Sequence, residues 1–68
     1  MTDIFVNSKP VSLPENVTTV SQLLDFMHIP TQGTGVGINS RIIPAADWNA
    51  TPLKENDNVI IISAAYGG

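Results

Sequence analysis

The sequence predicts an α+β fold, in which one main helix packs on one face of a mixed sheet of four to five strands. Apolar residues recur at helical spacing in one segment, residues 20–27. Short runs of β-branched residues both precede and follow this segment, so strands are expected on both sides of the helix in the chain. With only 68 residues and no cysteine, the chain can form one core, which all of these elements must share.

The first predicted element is a β-hairpin at the N-terminus. Residues 4–6, Ile-Phe-Val, form a β-favouring run that stops at Asn7-Ser8, and apolar residues then alternate over residues 11–13 before Pro14. Asn and Ser are typical of tight turns. The segment therefore reads as two antiparallel strands.

The second element is an amphipathic helix. Its start is marked by Thr19, whose hydroxyl can accept a hydrogen bond from the amide of Gln22 while the Gln22 side chain reaches back. We expect Pro30 to end the helix, because proline disfavours the helical conformation of the residue before it. The buried face is formed by residues at i, i+3, i+4 and i+7: Val20, Leu23, Leu24 and Met27.

The rest of the chain predicts three more strands. Residues 36–38 and 41–43 read as two short strands around Asn39-Ser40, and residues 45–49 can form only a short helical turn. After a polar turn, residues 59–62, Val-Ile-Ile-Ile, are long enough for a central strand that is buried on both faces.

This order of elements predicts a β-grasp, or ubiquitin-like, fold. A hairpin that leads into a helix crossing back to the sheet suits a final strand parallel to the first. We expect residues 1–64 to form a single β-grasp domain and residues 65–68 to form a flexible tail. An extended tail of four residues reaches roughly 14 Å from the domain.

The composition argues against several classes of partner. The formal net charge is −3, and the basic residues Lys9, Arg41 and Lys54 are scattered, whereas nucleic-acid binding needs clustered cations. No apolar run is long enough to span a bilayer, and the N-terminus lacks a secretory signal. We therefore expect a cytoplasmic protein without nucleic-acid or membrane partners, which is monomeric when free.

The chain has few side chains that could form an active site of its own. It contains no cysteine and one histidine, His28, so a cluster of metal ligands is not expected. His28 lies near the end of the predicted helix, where interaction with the helix C-terminus is the simpler role. Residues 33–37 are glycine-rich like a phosphate-binding loop, but a strand rather than a helix follows them. We predict no catalytic residue, no metal and no bound cofactor.

The last two residues, Gly67-Gly68, are the strongest candidates for covalent chemistry. Because they lack side chains, they form a thin strip of backbone that can enter a narrow active site on another protein. The alternative is an ordinary frayed terminus. An α-carboxyl group has a pKa of about 3.5, so it is ionised at neutral pH and needs an activated leaving group before it reacts as an electrophile. We predict that the Gly68 carboxylate is that reacting group.

Several segments of the chain together form a family pattern. They are Ile4-Phe5-Val6-Asn7, Thr19-Val20-x-x-Leu23-Leu24, Val36-Gly37-Ile38-Asn39, Ile42-Ile43-Pro44 followed by Trp48, and then Leu53, Asp57, Val59-x-Ile61 and Gly67-Gly68. Over essentially the whole chain, these segments resemble the ThiS family, the sulfur carriers of thiamin biosynthesis. Two positions depart from the family pattern, Asn56 where glycine is frequent and Ala45 where a basic residue is frequent.

The resemblance implies a cycle of modification by partner enzymes. An E1-like adenylyltransferase of the ThiF type adenylates the Gly68 carboxylate with ATP, and a sulfur donor system converts it to a thiocarboxylate. Thiazole synthase of the ThiG type then receives the sulfur. The carrier is a protein co-substrate and not an enzyme, and the ATP is used by the activating partner.

Four residues outside the diglycine are candidates for contact with a partner. Residues 59–62 alternate by face, so we expect Ile60 and Ile62 on the side of the sheet opposite the helix, where they form an apolar docking patch unless loops cover them. Tyr66 either seats the tail in a partner groove or shields the sheet edge. Trp48 either anchors the short helical turn to the core, which we favour, or contacts a partner.

Two other functions remain open from the sequence. One is a sibling carrier or ubiquitin-like modifier, such as the small subunit of molybdopterin synthase, although that subunit usually has a proline before its diglycine and residues 63–66 have none. The other is a β-grasp interaction module whose terminal glycines have no chemical role.

Overall fold

Five strands, one α-helix and one 3₁₀ helix form in the predicted order within residues 1–63, which are the residues that the computed structural model describes. The elements are β1 (Thr2–Val6), β2 (Lys9–Leu13), α1 (Val20–Phe26), β3 (Thr34–Ile38), β4 (Arg41–Ile43), the 3₁₀ helix Ala45–Ala50 and β5 (Asn58–Ser63).

The strands form one mixed sheet with the order β2-β1-β5-β3-β4. The last strand, β5, is central: it runs parallel to β1 and antiparallel to β3. The register places Val6 opposite Val59 and Val36 opposite Ile61, so apolar side chains of three strands share one face. This arrangement confirms the predicted β-grasp fold of the α+β class.

Both hairpins turn at an Asn-Ser pair. The φ angles are 51° and 71° at Asn7 and Ser8, and 50° and 71° at Asn39 and Ser40. Positive φ at both central residues defines the type I′ turn, whose twist matches that of the flanking strands, and asparagine adopts this region more readily than most residues.

The helix begins as predicted but ends earlier. Thr19 and Gln22 form the complete capping box. The expectation that Pro30 ends the helix is wrong, because the last helical residue is Phe26. His28 adopts the left-handed conformation with φ 59°, and its N–H donates to the carbonyl of Asp25 (3.1 Å). With the bond from Ile29 N–H to Leu24 O (2.9 Å), this is a Schellman motif, which satisfies the last carbonyls without any proline.

The core lies between the sheet and α1. Because α1 covers only one face of the sheet, β5 alternates between buried and exposed residues along its length. The expectation of a strand buried on both faces is therefore wrong, since that pattern needs helices on both sides. The buried apolar residues are Ile4, Val6, Leu13, Val17, Val20, Leu23, Leu24, Ile29, Val36, Ile38, Trp48, Leu53, Val59 and Ile61.

Trp48 is part of this core, as favoured from the sequence. Its side chain is 5% exposed, and its Nε1 donates to the carbonyl of Ile43 at 2.9 Å. The bond ties the 3₁₀ helix to the end of β4 and satisfies the one polar atom of the indole. In the described part of the chain, the helices are too short and not apolar enough to cross a membrane.

Candidate functional site

The predicted reactive group and its approach, Gly68 and Gly67, lie outside the described residues, as do Tyr66 and the whole predicted tail 65–68. What the structure describes is the strand that leads to them, β5, and the sheet surface beside that strand. We define the outer face as the face of the sheet opposite α1.

The outer face carries an exposed apolar patch. Ile60 and Ile62 of β5 are 47% and 71% exposed, and Ile42 of β4 is 84% exposed. Loops within residues 1–63 therefore leave the two predicted docking residues accessible. Exposed isoleucines grouped on one side of a small domain are typical of a surface that contacts another protein.

Two glycines of β3 turn this patch into a groove. Gly37 lies between Ile60 on β5 and Ile42 on β4, and Gly35 lies opposite Ile62. Because glycine has no side chain, the floor between these isoleucines is bare backbone. The resulting groove has a volume of about 320 Å³. We call this feature, formed by Ile42, Ile60 and Ile62 around Gly35 and Gly37, the glycine-floored groove.

Arg41 contributes to the lining of this groove, but its side chain leaves β4 towards the other face. Arg41 pairs with Ile38, which is buried in the core, so both side chains start on the α1 side of the sheet. There Arg41 and Lys54, two of the three basic residues of the chain, line a second, more polar groove. The glycine-floored groove itself is mainly apolar.

The turn before β5 is organised by Asp57, which is 9% exposed. One carboxylate oxygen accepts the N–H of Lys54 at 2.8 Å, and the other accepts the amide of Asn39 at 3.0 Å. Both carboxylate oxygens thus accept hydrogen bonds, and the preceding residue Asn56 has the left-handed φ of 68°.

Two asparagine side chains hold β5 from opposite sides. Asn7, in the first turn, bonds the backbone of Ile61 through both ends of its carboxamide: Oδ1 accepts the N–H at 2.8 Å and Nδ2 donates to the carbonyl at 3.1 Å. Asn39, in the second turn, accepts the N–H of Asn58 at 3.0 Å and donates to Asp57.

His28 is exposed at the end of α1, where its backbone forms the helix cap. Within residues 1–63, His, Asp and Glu side chains do not come together in a group that could hold a metal ion.

Sequence reasoning found Ile60 and Ile62 but missed Ile42, Gly35 and Gly37. A usable signal was present, because the two glycines are spaced by two residues within Thr34–Ile38 and so must lie on one face of a strand. Glycine is unfavourable in a strand interior and often marks a place where another chain approaches closely.

Comparison with known proteins adds independent information. The model of the ThiS family matches residues 4–68. The crystal structure of the thiamine biosynthesis protein (ThiS) from Geobacter metallireducens is 23% identical, with a TM-score of 0.80 over 98% of this chain and 100% of that chain. A solution structure of a thiamine biosynthesis protein from the same organism is also 23% identical, with a TM-score of 0.77 over 98% of this chain and 88% of that chain. At this identity the structures show the shared fold. No curated protein sequence matches the chain.

Proposed function

The chain belongs to the ThiS family, and from this premise we propose that it is a sulfur carrier of thiamin biosynthesis, modified by partner enzymes and not itself an enzyme. The observation that carries the proposal is the family match, which runs from residue 4 to Gly68 and so includes the diglycine. The same match favours a thiamin carrier over the small subunit of molybdopterin synthase.

The reacting group in this proposal is the Gly68 carboxylate. In the first step a carboxylate oxygen attacks the α-phosphorus of ATP, an O–P bond forms, and pyrophosphate leaves. In the second step hydrosulfide attacks the acyl carbon, a C–S bond forms, and AMP leaves with release of one proton. The product is a thiocarboxylate. AMP supplies the leaving group that an ionised carboxylate lacks.

Partner enzymes supply the catalysis in both steps. We propose an E1-like adenylyltransferase of the ThiF type for activation, with ATP bound by that enzyme, a sulfur donor system for the second step, and thiazole synthase of the ThiG type as the acceptor. The position of β5 supports this division of roles. Five residues beyond Ser63 extend at most about 18 Å, so Gly68 can enter a partner's site while the folded domain stays outside it.

We propose the glycine-floored groove as the docking surface for the activating enzyme. Its apolar walls Ile60 and Ile62 belong to the same strand that leads to Gly68, so docking there brings the diglycine to the enzyme. Tyr66 and Gly67 are proposed to line the way into the active site.

The mass of the carrier tests the proposal directly. Purified full-length chain is incubated with the E1-like adenylyltransferase of the same organism, MgATP and sodium sulfide. We expect the intact mass to rise by about 16 Da, because one oxygen of Gly68 is replaced by sulfur. Mild alkylation of the thiocarboxylate should then raise the mass further, by the mass of the added group.

Two variants serve as controls. Deletion of Gly68, or extension of the chain by one residue, displaces the reacting carboxylate and should abolish the mass gain while the domain remains folded. A gain that persists in the deletion variant contradicts the proposal. Complementation of a thiamin auxotroph but not of a molybdenum-cofactor mutant would separate this function from that of the sibling carrier, and activity that survives a capped C-terminus would indicate a simple interaction module.

A further inference from the structure

Strand β5 extends beyond the strand with which it pairs in parallel. β1 pairs with β5 over two residue pairs, the last of which joins Val6 to Val59, and the chain then turns away at Asn7. In the part of the chain that the structure describes, no strand lies beside residues 60–63 on this side of β5. Backbone without a neighbouring strand at the end of a sheet opens more readily than the paired centre.

The side chain of Asn7 takes the place of the missing strand. Its carboxamide accepts the N–H of Ile61 at 2.8 Å and donates to the carbonyl of Ile61 at 3.1 Å, while the Asn7 backbone N–H donates to the carbonyl of Val59 at 2.8 Å. In a longer parallel strand, the N–H and the carbonyl of Ile61 would bond the backbones of two different residues of the neighbour, whereas here one carboxamide serves both. The side chain of Asn7 therefore supplies partners for both backbone polar groups of Ile61 on this side of β5.

The hairpin turn by itself does not require this carboxamide. With φ 51°, residue 7 occupies a turn position that glycine fits at least as well as asparagine. Glycine would form the turn but would leave the N–H and the carbonyl of Ile61 without these partners. The side chain of Asn7 therefore acts on β5 rather than on its own turn.

The point at which Asn7 acts lies between the docking surface and the reactive end. Ile61 is flanked by Ile60 and Ile62, the walls of the glycine-floored groove, and Ser63 follows two residues later. On the opposite side, pairing with β3 continues to the last described residue, where Thr34 lies opposite Ser63. The end of β5 is thus fixed from both sides.

We infer that Asn7 is a positioning residue: its carboxamide holds the end of β5 and so sets the direction in which residues 64–68 leave the docking surface. This inference rests on the proposed function, because the direction matters only if the Gly68 carboxylate must reach a partner's active site. Small errors in the placement of a reacting group lower reaction rates strongly even where binding is preserved.

The variant Asn7→Gly tests the inference, since it keeps the turn and removes the carboxamide. Full-length carrier is mixed at saturating concentration with the E1-like adenylyltransferase of the same organism and MgATP. We expect the single-turnover rate of acyl-adenylate formation to fall at least about tenfold, while the Kd for the enzyme changes by less than about twofold. Hydrogen exchange at the Ile61 amide should become faster.

Asn39→Gly is the matched control, because Asn39 occupies the equivalent Asn-Ser turn and bonds Asn58 at the beginning of β5. We expect it to react at the wild-type rate at saturation. Asn7→Asp is a second test variant: it keeps the shape and the acceptor for the Ile61 N–H but loses the donor, and it should also react slowly. If Asn7→Gly does not fold, the rate measured for Asn7→Asp tests the inference.

The possible outcomes separate the two proposals. If wild-type carrier is adenylated and Asn7→Gly reacts equally fast, the inference is overturned and the proposed function stands. If Asn39→Gly slows adenylation as much as Asn7→Gly does, the inference is also overturned, because the slowing then reflects a general loosening of the domain. If wild-type carrier is not adenylated, the proposed function fails and the inference fails with it.

Discussion

At the residue scale, polar side chains recur at the non-glycine positions that have unusual backbone geometry. Within residues 1–63, all the non-glycine residues with positive φ are polar, and asparagine recurs because it tolerates this region best. Asn56 has this geometry where the resembled family frequently has glycine, so that departure preserves the turn. The positions are Asn7, Ser8, His28, Asn39, Ser40 and Asn56.

Asp57 gives a prediction at this scale. Asp57→Ala leaves the N–H of Lys54 and the amide of Asn39 without their carboxylate acceptor. Because hydrogen bonds to charged groups contribute more than neutral ones, we expect the free energy of unfolding to fall by about 2 kcal/mol. Urea denaturation followed by circular dichroism measures this change.

Glu15→Ala is the control for Asp57→Ala, because it removes the same charge from an exposed position. The free energy of unfolding should change by less than about 0.5 kcal/mol. Equal losses in the two variants would mean that charge, and not the bonds of Asp57, determines the effect.

At the element scale, β3 contains two glycines, Gly35 and Gly37, which lower its strand propensity but leave the outer face open between the isoleucines. Gly35 does not have a positive φ, and a Cβ placed on it would have its nearest contact 3.9 Å away, at the carbonyl oxygen of Ile62. The backbone therefore does not require glycine there. Gly33, in the turn before the strand, has φ 74° and does require it.

This difference predicts opposite effects of the same substitution. Gly35→Ala should leave the free energy of unfolding unchanged or raise it by up to about 0.5 kcal/mol, because alanine loses less conformational entropy than glycine on folding. Gly33→Ala should lower it by about 1 kcal/mol, because φ stays positive. Thermal denaturation of both variants is the measurement, and a larger loss for Gly35→Ala than for Gly33→Ala would contradict this account of β3.

At the scale of the whole molecule, the two faces of the sheet have different roles. One face is covered by α1 and forms the core, and the other exposes Ile42, Ile60 and Ile62. Strand β5 contributes Val59 and Ile61 to the core and two isoleucines to the outer face. The same strand therefore stabilises the fold, forms part of the proposed docking surface and leads to Gly68.

We expect substitutions on the outer face to weaken binding to the activating enzyme without lowering the stability of the domain. Ile62→Ser removes an exposed apolar wall of the groove, so it should raise the Kd for the activating enzyme at least about fivefold and leave the melting temperature nearly unchanged. Isothermal titration calorimetry and thermal denaturation test the two parts.

Phe26→Ser is the matched control for the outer-face variant. Phe26 is also apolar and 42% exposed, but it belongs to α1, on the other side of the sheet. Its substitution should leave the Kd unchanged. If both variants weaken binding equally, the docking surface is not confined to the outer face.

Much of the fold was predictable because it depends on local chemistry. The helical spacing of Val20, Leu23 and Leu24, the capping pair at the helix start and the β-branched residues of β5 each act within a few residues of the chain. The end of α1 was predicted wrongly, because the cap that forms at His28 requires a left-handed histidine, which is an uncommon choice for that position.

The sequence by itself determined the order of the elements and the β-grasp class, and it indicated Gly68 as the proposed reacting residue, because spacing, turn residues, the lack of cysteine and the terminal diglycine are all features of the chain itself. Only the tertiary structure decided which face of β5 stays exposed, that Gly35 and Gly37 form the floor of a groove, and that Asn7 bonds Ile61. The physical reason is that these features depend on strand order and register, which bring together residues that are distant in the chain, 54 positions apart in the case of Asn7 and Ile61.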